Sequence, residues 1–182
     1  MENTAIFRYS AENRKEGKKM TEQKKALVAY FSCSGVTKKA AEAVASAADA
    51  NLYEIKPEIP YTSTDLDWTD PKSRSSIEMK DPSSRPAIAK KVEGMDEYET
   101  IFVGFPIWWY VAPTIIDTFL ESYDFSGKTI VPFCTSGGSG PGRTDDILHA
   151  LCPDSVQWRP CRLLNGHLSE EKLHRWIESL SL

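Results

Sequence analysis

The chain contains no run of about 18 apolar residues, the length a helix needs to cross a bilayer. Its first 24 residues lack the apolar stretch and small-residue cleavage site of a secretory leader. No CxxC motif links its four cysteines, Cys33, Cys134, Cys152 and Cys161, and no histidine stands at metal-ligand spacing from them. The residue pattern therefore offers no metal site, and the thiols are expected to be reduced, as in the cytoplasm. The excess of acidic over basic residues is small, with a net charge of −4. That balance argues against nucleic acid or an anionic membrane as a partner. Internal repeats and low-complexity tracts are also missing.

What is present suits one domain. A chain of 182 residues can bury a full core without a metal or disulfide staple. Residues 1–24 are polar, lysine-rich and without a clear period, and are expected to form a flexible N-terminal extension. The folded domain should span 25–182. Three short apolar runs, 26–31, 101–105 and 129–133, are unbroken rather than alternating. Such runs mark strands buried on both faces, as in a parallel sheet. Weaker strand candidates lie at 51–55 and 156–164. Helical patterns fall between them at 36–48, 113–122, 142–151 and 169–180, with a shorter one at 86–92. This alternation predicts an α/β doubly wound sheet: five parallel strands in order 2-1-3-4-5 within a three-layer sandwich. In that topology a ligand binds outside the carboxyl ends of strands 1 and 3.

Three loops follow the three strong strands. The first, Ser32-Cys33-Ser34-Gly35-Val36-Thr37, places hydroxyls and a glycine where a strand turns into a helix. It reads as a phosphate cradle or as a plain helix cap. The second, Pro106-Ile107-Trp108-Trp109-Tyr110, sets three adjacent aromatics that cannot all face one core. They would stack on a flat heterocycle, or Trp109 would lie at a subunit contact. The third holds Ser136, Gly137, Gly138, Ser139 and Gly140, and allows close backbone approach to a ligand. Its alternative is a flexible surface turn. A phosphate cradle, an aromatic wall and a glycine-rich lid at one crevice together describe a flavin mononucleotide site.

The motifs SCSGVT at 32–37 and FVGFPIWWYVAPTIIDTFLESYDFSGKTIVPFCTSGGSG at 102–140, with LDWTDPKSRSSIEMKDPSSRP at 66–86, carry a resemblance. The chain resembles the flavodoxin-like FMN-binding family, in particular small bacterial flavodoxin-like proteins with a PIWWYxAP loop. The resemblance covers about residues 25–182. Serines replace the usual threonines in the first loop, and Cys33 adds a thiol. The resemblance implies FMN held by Ser32, Ser34, Gly35, Val36 and Thr37 at the phosphate. It implies Pro106, Ile107, Trp108, Trp109 and Tyr110 beside the ring, and Ser136 to Gly140 at its pyrimidine end.

The role is open between two readings. One is an NAD(P)H- or quinone-linked oxidoreductase; the other is an electron-transfer flavodoxin serving a redox protein. The segment 56–86, with Tyr61, Trp68, Arg74 and Arg85, either walls a substrate pocket or forms a packed excursion or homodimer contact. No acid–base residue for catalysis can be named, and His149, His167 and His174 are read as surface residues.

Overall fold

The computed structural model describes residues 25–182; the expected extension over 1–24 lies outside the described residues. The chain runs β1 (Ala26–Tyr30), α1 (Val36–Ala48), β2 (Asn51–Glu54), α2 (Arg74–Lys80) and β3 (Thr100–Pro106). It continues through α3 (Thr114–Glu121), β4 (Thr129–Thr135), α4 (Thr144–His149), β5 (Gln157–Trp158), β6 (Arg162–Leu163) and α5 (Glu170–Ser179). The strands pair in parallel in the order β2-β1-β3-β4-β5, with β6 also on β4. This is the expected doubly wound order.

Both faces of the sheet are covered, which is why its central strands lack polar alternation. Val28 and Tyr30 of β1, Phe102 of β3 and Val131 and Phe133 of β4 pack against α1 and α5. The residues between them, Leu27, Ala29, Ile101, Val103, Ile130 and Cys134, point to the other layer, with Ile115, Ile116, Phe119 and Leu148. Gly104 makes room for this packing: a Cβ there would lie 2.3 Å from the Phe133 ring.

The last strand candidate is split. The Ile130 and Cys134 carbonyls accept hydrogen bonds from the Arg159 and Leu164 N–H groups. Pro132 lies between them on the same side of β4 and has no N–H to donate. After Arg159 the chain leaves the sheet, over Pro160 and Cys161, and resumes as β6.

The segment 56–86 differs from expectation in two ways. It contains a helix, α2, capped by Ser73, whose hydroxyl accepts from the Ser76 N–H. The helix expected over 86–92 does not form. Instead Pro57 and Ile88 make an antiparallel bridge, Glu58 N–H donates to the Ala87 carbonyl and Ala89 N–H to the Lys56 carbonyl. The two ends of the excursion are thereby zipped together. No helix among the described residues is long and apolar enough to cross a membrane.

Candidate functional site

Strand β1 ends at Tyr30, and after the buried Phe31 the chain turns over Ser32–Gly35 into α1. Gly35 holds φ +82°, and a Cβ there would meet nothing within 4 Å. The turn is closed by the Gly35 N–H donating to Ser32 Oγ at 3.1 Å. Gly35 offers α1 no side-chain cap, and no acid lies in the first turn. The start of this 13-residue helix therefore has neither a side-chain cap nor an acid for its first-turn N–H groups, the setting in which an oxyanion binds. Ser34 and Val36 are exposed. Thr37 is not: its hydroxyl is buried and pairs with Thr135 Oγ1 at 2.8 Å. The hydroxyls of Ser32 and Thr37 therefore brace the loop from within, and the Ser34 hydroxyl is exposed.

The loop after β3 is built by a different device. Trp108 and Val111 exchange backbone hydrogen bonds at 2.9 and 3.1 Å. The two residues between them, Trp109 and Tyr110, have φ +46° and +69°. This is the signature of a type I′ turn, which normally selects Asn-Gly. Two bulky residues in the left-handed region cost on the order of 1–3 kcal/mol each. The surroundings enforce the conformation. Ile107 N–H donates to the Thr135 carbonyl at 2.8 Å. Trp108 is wedged edge-to-face against Phe31 and Tyr61, with centroids at 5.6 and 5.5 Å. Gly142, at φ +57°, lets the Tyr110 carbonyl approach so closely that a Cβ would lie 2.1 Å from it. Trp109 and Tyr110 stay 43% and 70% exposed.

The third loop is organised by Ser136 and by Asn165, a residue the sequence analysis missed. The Ser136 hydroxyl accepts from the Gly138 and Ser139 N–H groups at 3.1 and 2.9 Å and pairs with Ser139 Oγ. Asn165 accepts from Ser136 N–H and donates to its carbonyl, both at 2.9 Å. Cβ atoms on Gly137, Gly138 and Gly140 would meet nothing within 4 Å, so their backbone is open to an approaching ligand.

A cavity of about 510 Å³ joins these loops. Ser34, Pro106, Ile107, Trp108, Trp109, Tyr110 and Ser139 line it, together with Cys33. Gly137, Gly138 and Gly140 do not line it. The 56–86 excursion supplies a further wall through Leu66, Trp68 and Ser75. Tyr61 anchors that wall, packed against Phe31 and Trp108 and hydrogen-bonded to Glu78. Burial, then that bond, push the Tyr61 hydroxyl's pKa upward. The crowding around the Cys33 sulfur raises its thiol to about 11, although part of the residue is exposed. Cys33 is therefore a neutral lining group at neutral pH. Arg74 and Arg85 face away from the cavity's needs. Arg74 pairs with Glu78 at 2.7 Å and stacks on the Tyr61 ring at 4.0 Å. Arg85 grips Glu121 of α3 with two bonds of 2.7 and 2.8 Å. His167 is exposed and outside the cavity. Among the described residues no group of three His, Cys, Asp or Glu could hold a metal ion.

The arrangement combines an uncapped helix start, an open glycine-rich backbone and exposed aromatic faces. It suits a ligand with one phosphate and one flat apolar ring. The sequence profile described as flavodoxin matches residues 25–180. A candidate flavoprotein of Bacteroides uniformis is 51% identical and superposes with a TM-score of 0.80, over 85% of this chain and 98% of that one. Another, of Bacteroides eggerthii, is 47% identical with a TM-score of 0.83, over 88% and 99%. A flavoprotein of Lactobacillus acidophilus, solved in complex with FMN, is 24% identical with a TM-score of 0.64, over 85% and 99%. No curated protein sequence matches the chain.

Proposed function

The chain belongs to the flavodoxin family, and on that premise we propose that it binds FMN non-covalently and works as an oxidoreductase on a small molecule, in preference to carrying electrons between proteins. The residues present fit the cofactor. The N–H groups of Ser34, Val36 and Thr37 receive its phosphate at the start of α1, and the Gly35 N–H, bonded to Ser32 Oγ, closes the turn beneath it. Trp108, Trp109 and Tyr110 border the ring, and Ser136 to Gly140 border its pyrimidine end. When bound, FMN supplies the electron chemistry, and the protein supplies binding, orientation and exclusion of water.

One observation carries the choice of role: the wall contributed by the 56–86 excursion. A carrier needs its cofactor edge open to a protein surface. Here Leu66, Trp68 and Ser75 share a cavity with the aromatic turn, so the excursion covers part of the edge that a protein partner would have to reach. The net charge of −4 is also modest for steering a cationic partner protein.

The test is anaerobic stopped-flow on the FMN-loaded, chemically reduced protein. Small quinone acceptors should reoxidise it with saturation and faster than they reoxidise free FMN. Reoxidation that is fast only with a redox protein would make the chain a carrier. Release of FAD instead of FMN from the denatured holoprotein would overturn the cofactor.

A further inference from the structure

We infer that Cys134 and Cys161 form a dithiol that a small hydroperoxide converts to an intrachain disulfide, a covalent staple at the foot of the glycine-rich loop. The placement comes from the broken rim of the sheet. Strand β5 pairs Trp158 with Ile130, and β6 pairs Arg162 with Phe133. The residues Arg159, Pro160 and Cys161 therefore stand opposite only Val131 and Pro132. That surplus makes a bulge, a device that re-aims a side chain out of strand register. The bulge is pinned from the helix layer: the Cys161 N–H donates to both carboxylate oxygens of Asp145 on α4, at 3.1 and 3.2 Å. The Cys161 side chain packs against the core cluster that contains Cys134. There the two thiols hydrogen-bond to one another.

The chemistry follows from that contact. The Cys161 S–H donates to Cys134, which holds the Cys134 thiol below its usual range and pushes that of Cys161 up. One proton thus lies between the sulfurs, and loss of the other leaves a negative charge that the pair shares. Cys134 is fully buried and Cys161 half-buried, so the peroxide enters on the Cys161 side. A thiolate sulfur attacks one peroxide oxygen, the O–O bond breaks and a sulfenic acid forms. The second sulfur displaces its hydroxyl, which leaves as water. In sum the two thiols lose two protons and two electrons, an S–S bond forms, and hydrogen peroxide is reduced to two waters. Cys33 and Cys152 are placed differently: burial holds both thiols up at about 11. The bridge also sits where it bears on the candidate site. Cys134 is followed by Thr135, which braces Thr37, and by Ser136, which pairs with Asn165 just beyond β6. The disulfide repeats in covalent form the tie that Ser136 and Asn165 make by hydrogen bonds.

The test uses the full chain, reduced, treated with hydrogen peroxide at neutral pH and then alkylated under denaturing conditions. Two of the four thiols should escape alkylation, and dithiothreitol should return them. Trypsin spares the Arg159-Pro160 bond, so a non-reducing digest should link peptide 129–143 to peptide 144–162. The second peptide also holds Cys152. The link should therefore persist in Cys152→Ser and vanish in Cys161→Ser. Because the native fold already brings the sulfurs together, the bridge closes a loop around α4 without distortion. The oxidised protein should melt higher than the reduced one, by on the order of 5 °C, and Cys161→Ser should show no such gain. Four free thiols after peroxide treatment overturn the inference. So does a link that survives in Cys161→Ser, conversion of Cys161 to a sulfinic acid while Cys134 stays free, or an oxidised wild type that melts no higher than the reduced.

Discussion

The loops after β1 and β3 face the same cavity and both need left-handed backbone, yet they obtain it in opposite ways. The first uses Gly35, at φ +82° in open space, where the conformation costs nothing beyond glycine's own flexibility. The second forces Trp109 and Tyr110 into it. Backbone N–H groups suffice to bind a phosphate, so a loop suited to one needs no side chain at its turn. Rings suit a flat ring, so a loop offering such a surface carries large side chains where glycine would be easiest. Strain therefore collects on the aromatic side, and the elements around it must hold it in place.

The strongest way to break this contrast is Gly142→Ala. The new methyl would sit 2.1 Å from the Tyr110 carbonyl oxygen, at φ +57°. Overpacking and strain should together cost on the order of 3 kcal/mol. The urea midpoint should fall with little change in slope, and FMN titration should weaken as the turn shifts. A methyl placed at Gly35 meets only the backbone penalty, so Gly35→Ala should cost less.

The first loop is tested through its internal brace. Thr37→Val leaves the buried Thr135 hydroxyl without its partner and should destabilise by about 1–3 kcal/mol. Replacing both threonines by valine should recover most of that loss, since removing both partners is close to neutral. FMN affinity separates the two roles. If the Thr37 hydroxyl only braces the loop, the double variant binds FMN nearly as well as the wild type. A large loss that persists in the double variant would make this hydroxyl a phosphate donor.

A third test concerns α3, the helix that follows the aromatic turn. Asp117 is buried in α3, and that burial raises its carboxyl to about 6 despite Arg85 at 3.7 Å. The folded state thus holds the proton more tightly than the unfolded chain, whose carboxyl titrates near 3.9. The stability from this group is full below about pH 4 and is lost as pH rises through 6. Asp117→Asn cannot ionise. Its melting temperature should gain on the wild type across that window and keep the gain above it. A pH-independent difference would show that the carboxyl is not held protonated.

The smallest effect is relief of the turn itself. Trp109→Asn with Tyr110→Gly installs the pair a type I′ turn prefers. The ligand-free protein should gain about 1 kcal/mol, while FMN binding falls. A stability loss instead would mean that the exposed rings pack more than their exposure implies.

Much of the molecule was legible in the sequence, and the exceptions have physical causes. Strands β1, β3 and β4 announced themselves as unbroken apolar runs because helices cover both sheet faces. The three loops followed from topology alone. Helix α2 was hidden because it buries Ser75 and Ser76 while Ile77 stays 56% exposed, which inverts the pattern that marks a helix. The 86–92 segment read as a helix because its partner, 56–58, is distant in sequence. Asn165 was invisible for the same reason: its importance is a contact with Ser136 across 29 residues. The brace between Thr37 and Thr135 spans 98. Long-range pairs leave no local period.

The interruption opposite Pro132 bears on self-association. An edge strand with a row of unpaired amides is a template for further chains, and proteins shorten or kink such edges to prevent it. Here one rim of the sheet consists of two strands of two residues each, separated by an excursion that contains Pro160. The opposite rim, β2, is four residues long. Among the described residues, neither rim offers a long flat run on which a second copy could add a strand. A single proline inside β4 thus leaves its mark on the neighbouring rim, where it breaks up the surface from which ordered aggregates would grow.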